Sequence, residues 1–115
     1  MIAGIYNFTI EQGATFYKVM TLSASSAPVN LTGYQARMQI RPEIESTEIL
    51  AELTTANGLI TLSAAGQITW TIPAATTANI DVDGFYDMEL IEPGGAVKRL
   101  LKGRVRLDRE VTRDD

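Results

Sequence analysis

Three features of this 115-residue chain predict an all-β fold, an antiparallel sandwich or barrel of seven or eight short strands. Apolar residues recur with a period of two in one segment after another, the rhythm of a strand with one buried and one wet face. Clusters of glycine, proline and asparagine punctuate those segments at close spacing. Only near 73–79, opening on Pro73, does a short helical turn fit, because proline suits the first helical position.

In chain order, the first strand is expected over Ile5–Ile10, with Tyr6, Phe8 and Ile10 opposite Asn7 and Thr9. Glu11-Gln12-Gly13 turns the chain, and 14–22 follows as a strand rich in Thr, Phe, Tyr and Val. Lys18 shares a face with Phe16, Met20 and Leu22, where its stem can cover apolar surface at a sheet margin. Small polar residues and Pro28 make 23–30 a loop. From 34 to 41 the sorting is complete: Tyr34, Ala36, Met38 and Ile40 face one way, Gln35, Arg37, Gln39 and Arg41 the other. Pro42 ends that strand, and the acidic 43–48 is expected as an exposed connection or a single helical turn. Ile49, Ala51 and Leu53 mark a further strand. Asn57-Gly58 reads as a type I′ hairpin turn into 59–62, because both residues tolerate positive φ. Ile68, Trp70 and Ile72 then share a face, and the helical turn after them bridges the two sheets.

The longest pattern is a hairpin from Gly84 to Asp108, folded about Pro93-Gly94-Gly95. Opposed residues on antiparallel strands share a face, so the alternations agree if Met88 meets Leu101, Asp87 meets Lys102 and Tyr86 meets Gly103. The absent side chain at Gly103 would leave room for the tyrosine ring. The expected core is Phe8, Met38, Ile40, Trp70, Tyr86, Met88, Leu101 and Val105, centred on Trp70 and Tyr86. One sandwich domain spans 1–108. The charged tail 109–115 has no apolar face and is expected to be mobile or held by a partner.

Chemistry is sparse. The chain has no cysteine and no histidine, which removes disulfides, thiol nucleophiles, thiolate metal sites and imidazole bases. A net charge of −4 gives no basic field for a phosphate backbone, so nucleic acid is not an expected partner. No apolar run approaches the roughly 20 residues of a membrane span, so no membrane partner is expected. The N-terminus lacks the charged and apolar regions of a signal peptide, so an unprocessed, cytoplasmically made protein is expected. Asp81-Val82-Asp83-Gly84 lacks the glutamate and flanking helices of a calcium loop. Glu43, Glu45 and Glu48 share one connection with no apolar pocket to split their acidities, which discourages glycosidase chemistry. Ser23, Ser25 and Ser26 have no histidine to activate them, and Gly94-Gly95 leads into a strand, not a phosphate-binding helix. No catalytic residue, metal or cofactor is assigned.

Positive charge gathers near the C-terminus in Lys98, Arg99, Lys102, Arg104, Arg106 and Arg109. Its plain explanation is cross-strand pairing with Asp87 and Glu89 on a wet sheet face. The alternative is a stripe for an acidic partner, with Lys102, Arg104, Arg106, Arg109 and Arg113 as the docking set.

Several stretches carry a family resemblance covering nearly the whole chain. They are Ile10-Glu-Gln-Gly-Ala-Thr-Phe16, Leu31-Thr-Gly-Tyr34, Ala36-Arg-Met-Gln-Ile-Arg41 and Ile68-Thr-Trp-Thr-Ile72 in the first part. Pro73-Ala-Ala-Thr-Thr77, Gly84-Phe-Tyr-Asp-Met-Glu-Leu90, Gly95-Ala-Val-Lys-Arg-Leu-Leu-Lys-Gly103 and Glu110-Val-Thr-Arg113 complete the set. Together they resemble small tailed-bacteriophage and prophage virion proteins, and the N-terminal immunoglobulin-like domain of baseplate upper proteins. The resemblance implies an immunoglobulin-like sandwich and a non-enzymatic structural or adaptor role at the tail, baseplate or neck. Its implied partners are other virion proteins, with a homo-oligomer or ring in the particle, and its implied location is the virion. With only the sandwich expected here, the receptor-binding arm of larger relatives is not expected, and a stand-alone adaptor or decoration subunit is. A carbohydrate- or host-surface-binding module is the alternative, although most aromatics fall on expected core faces.

Overall fold

The computed structural model describes residues 4–112. In chain order the elements are β1 Gly4–Ile5, β2 Phe8–Glu11, β3 Phe16–Thr21, β4 Ser23–Ala24, β5 Ala27–Pro28, β6 Gln35–Arg41 and β7 Ala51–Thr54. Then come β8 Ile60–Leu62, β9 Gln67–Ile72, the one-turn helix α1 Ala74–Thr77, β10 Gly84–Ile91 and β11 Val97–Asp108. The larger sheet runs β1-β11-β10-β6-β7, with β2 continuing β1 alongside β11; the smaller runs β3-β9-β8. Pairing is antiparallel except that β1 and β2 lie parallel to β11. Taking β3, β9 and β8 as B, E and D, and β6, β7, β10 and β11 as C, C′, F and G, gives the order of a variable-type immunoglobulin sandwich. The chain is an all-β sandwich.

Alternation places the core between the sheets. Phe8, Met38, Ile40, Trp70, Tyr86, Met88, Leu101 and Val105 are all buried. Phe8, more than Trp70, is the hub: its ring lies 4.7 Å from Phe16, 4.9 Å from Tyr86 and 6.3 Å from Trp70, centroid to centroid. Tilted and edge-on pairs of this kind add about 0.5–1.5 kcal/mol each beyond their buried area. Lys18 places its ammonium 5.1 Å from the centre of the Tyr6 ring, so its stem covers the sheet margin while its charge meets a π face.

The long hairpin pairs Met88 with Leu101, Asp87 with Lys102 and Tyr86 with Gly103, the register the alternation requires. Beyond Met88 the register slips, and Glu89 meets Arg99. Leu100 is the extra residue of a bulge, and both Leu100 and Leu101 turn into the core. The bare Gly103 serves a crossing of three strands. The Tyr86 hydroxyl reaches past it to donate to the Tyr6 carbonyl at 2.6 Å. A Cβ on Gly103 would collide with that same carbonyl.

That crossing explains why the expected 5–10 strand divides into β1 and β2. At Asn7 the side-chain Oδ1, not a backbone carbonyl, accepts the Arg104 N–H at 2.8 Å. Other expectations are corrected too. The 23–30 loop contains the β4–β5 ribbon, turned by Ser25 and Ser26 at φ 51° and 67°. Serine rarely fills such positions, so nothing in its chemistry announces the turn. The strand expected from Ile49 starts at Ala51, leaving Ile49 exposed. Asn57-Gly58 is not a hairpin turn, because β7 pairs with β6 and β8 with β9. It is a corner between sheets, in which the Asn57 side chain accepts the N–H groups of Thr54 and Leu59 at 3.0 Å each.

The tail is also held by the chain's own body at its start. Arg109 donates to the Asp81 carbonyl at 2.5 Å, and the Glu110 N–H donates to Gln12 Oε1 at 3.2 Å. Helix α1 is tied down by Thr77, whose buried hydroxyl accepts from Gly13 N at 3.0 Å and lies 2.8 Å from the Ala14 carbonyl.

Candidate functional site

The outward residues of the larger sheet align as rows across its strands. One row is Ile5, Lys102, Asp87, Gln39 and Glu52. Beside it run Arg104, Phe85 and Arg41 on one flank, and Arg99, Glu89 and Arg37 on the other. Over these rows lies an open groove of about 930 Å³, which Ile44 of the β6–β7 connection also lines. Ile5 and Ile44 are 73% and 72% exposed, so the groove has apolar flanks as well as a charged floor.

Within the floor the two carboxylates of β10 are already engaged. Glu89 pairs with Arg37 at 2.6 Å, and Asp87 with Arg99 at 3.5 Å. Arg41 donates to Gln39 Oε1 at 2.7 Å and to the Ser46 carbonyl at 2.6 Å, and Gln39 donates to Glu52 at 2.8 Å. Outside the groove Lys98 pairs with Glu92 at 2.7 Å, a hydrogen bond that holds the ammonium above its ordinary pKa.

Among the expected docking residues, Lys102, Arg104 and Arg106 all project outward from β11 and are exposed. None has an ion-pair partner among the described residues. Arg104 stacks its guanidinium 5.4 Å from the centre of the Phe85 ring. Arg109 is spent on the Asp81 carbonyl, and Arg113 lies outside the described residues. Cross-strand pairing therefore accounts for Arg99, on Asp87, while Lys98 is met by Glu92 of the hairpin connection and the three cations that follow have no ion-pair partner among the described residues. Arg37, Arg41, Phe85 and Glu52 complete the face. Their outward positions could be read from the alternation, whereas nothing in the sequence brings Ile44 to the groove.

No group of three or more carboxylates among the described residues is arranged to hold a metal ion. The Asp83 carboxylate accepts the Leu107 N–H at 2.8 Å, a structural use for one acid of the 81–84 stretch. Burial, with a smaller contribution from Tyr6, pushes the Tyr86 phenol well above its ordinary pKa. Among the described residues no helix is long and apolar enough to cross a membrane.

No family model and no curated protein matches the chain. Among solved structures, the chain is similar to the extracellular domain of the voltage-gated sodium channel beta4 subunit, described as forming parallel homodimers in cell–cell adhesion. The likeness covers 96% of this chain and 97% of that one, at 10% identity and a TM-score of 0.46.

Proposed function

We propose that this chain is a non-enzymatic virion structural protein, an adaptor at the tail, baseplate or neck, that docks neighbouring subunits on the outer face of its larger sheet. One observation carries the docking role: Lys102, Arg104 and Arg106 stand exposed along one strand, with no ion-pair partner among the described residues. Uncompensated charge on a broad sheet face favours steering and selection of an oppositely charged surface. The virion setting is supported by the resemblance of the turn and strand motifs to phage structural proteins. In a particle each contact can be weak, since repetition supplies avidity.

The test is to purify intact particles and probe them for the chain by mass spectrometry and antibody labelling. A fixed copy number at one substructure is expected, and reduced incorporation of Lys102→Glu/Arg104→Glu. Particles that lack the chain would overturn the reading. A carbohydrate- or host-surface-binding role has one observation in its favour, the 66% exposed ring of Tyr17. Phe8, Trp70 and Tyr86 are buried, and Phe85 lies beneath Arg104, so Tyr17 would stand without an aromatic partner. Glycan-array binding abolished by Tyr17→Ala would favour that role instead.

A further inference from the structure

We propose that the outer face of the larger sheet binds a second copy of this chain, the β11 cations of each protomer meeting the acidic β6–β7 connection of the other. The inference rests on the reading of this face as a docking surface, but not on the virion setting.

Leftover charge on the face is divided by sign. On the β11 side stand Lys102, Arg104 and Arg106, unpaired among the described residues. The β6–β7 connection presents Glu43, Glu45 and Glu48, all exposed and likewise without ion-pair partners among those residues. Lys102 and Arg104 line the groove from one side and Ile44, between Glu43 and Glu45 in the chain, lines it from the other, with Arg106 further along β11. In a chain of net charge −4, a basic stripe selects an acidic partner, and the chain carries a matching acidic surface itself.

The acidic connection is also shaped in advance. Arg41 holds the Ser46 carbonyl at 2.6 Å, Ser46 N–H donates to the Glu43 carbonyl at 3.1 Å, and Ser46 Oγ accepts the Glu48 N–H at 3.0 Å. A loop pinned at three points loses little further freedom when it docks. A twofold axis through the groove would set each loop against the opposite stripe, so every contact forms twice and the assembly closes at two copies. An open head-to-tail chain would leave one stripe and one loop uncovered at its ends. The exposed Ile5 and Ile44 would be covered along with the charges.

Sedimentation velocity and light scattering of the purified full chain test this. At low salt a dimer is expected, weakening at least about tenfold as ionic strength rises towards about 0.5 M. Lys102→Glu/Arg104→Glu reverses two of the three cations of the stripe, and Glu43→Lys/Glu45→Lys/Glu48→Lys reverses the acidic connection. Each variant alone should be monomeric with an unchanged circular dichroism spectrum. Mixed in equal amounts, they should form a one-to-one heterodimer. A wild type monomeric at every concentration, a mixture that stays monomeric, or a dimer indifferent to both reversals would each overturn the proposal. A dimer missing from particles would remove only the virion reading. A solution monomer incorporated into particles would remove only this one.

Discussion

Replacing Gly103 with alanine probes the point where the N-terminal segment, β11 and β10 converge. The added methyl would strike the Tyr6 carbonyl and crowd Asn7 Oδ1. Both are working acceptors, the first for the Tyr86 hydroxyl and the second for the Arg104 N–H. The first obstacle is backbone, so the N-terminal segment must itself move. Overpacking of this kind costs about 1–3 kcal/mol. A displaced carbonyl also strands the buried Tyr86 hydroxyl, which adds about 1–3 kcal/mol. The sum is about 2–6 kcal/mol, and at roughly 4–5 °C per kcal/mol a domain of this size should lose roughly 8–30 °C of Tm. Urea unfolding followed through the single tryptophan, Trp70, and by far-ultraviolet circular dichroism measures it. Tyr86→Phe alone removes the donor and should cost about 1–2 kcal/mol. In that background alanine at 103 should cost less, with a coupling of about 1 kcal/mol. A Gly103→Ala protein within about 0.5 kcal/mol of wild type, or strict additivity with Tyr86→Phe, refutes the reasoning.

Other perturbations follow from single contacts. Thr77→Val should cost about 1–3 kcal/mol in chemical denaturation by leaving the Gly13 N–H unmet, with Thr77→Ser recovering most of it. Asn57→Ala should cost about 1–2 kcal/mol by the same assay, because one side chain satisfies two N–H groups at the sheet-to-sheet corner. The Tyr86 phenol has a folded pKa raised above the ordinary 10.0, so the unfolded chain ionises first. Its contribution is complete below that value and is lost as pH rises further; the raised Lys98 acts in the same direction. Thermal melts across the alkaline range should therefore show a shallower decline for Tyr86→Phe than for wild type. Lys102→Glu/Arg104→Glu should leave monomer stability within about 0.5 kcal/mol, since both side chains are exposed.

Period-two patterning made the sheets legible because each strand has one buried face, and a slip by one residue would turn that face to water. Hence the Tyr86–Gly103 register and the burial of Phe8 could be read from residues alone. Devices that replace backbone pairing were not legible. Asn7 substitutes a side-chain oxygen for a ladder carbonyl, and Asn57 does so at a corner, although an Asn-Gly pair more often closes a hairpin. Sequence spacing also could not say which sheet β7 and β8 would join, since either pairing buries Leu53 and Ile60. The cationic stripe was visible as outward alternation. Which of its members would remain unpaired depended on strand order, and strand order is a tertiary property.

That order accounts for the composition of the face. Outward on β10 stand Asp87 and Glu89, flanked by Arg99, Lys102 and Arg104 on β11 and by Arg37 and Arg41 on β6. Two carboxylates lie between five cations, and the bulge at Leu100 brings Arg99 level with Glu89 and within reach of Asp87. The other neighbour of β11 could have supplied more acids. It is instead the parallel N-terminal segment, whose one outward acid, Glu11, lies opposite Asp108 at the far end of the ladder, while Ile5, Asn7 and Thr9 carry no charge. Lys102, Arg104 and Arg106 are therefore left over by topology as much as by composition. Had an acid stood at position 9, opposite Arg106 in the parallel ladder, the strand would neutralise itself. The same parallel pairing that seals the core with Phe8 thus leaves the outer surface charged and available to a partner.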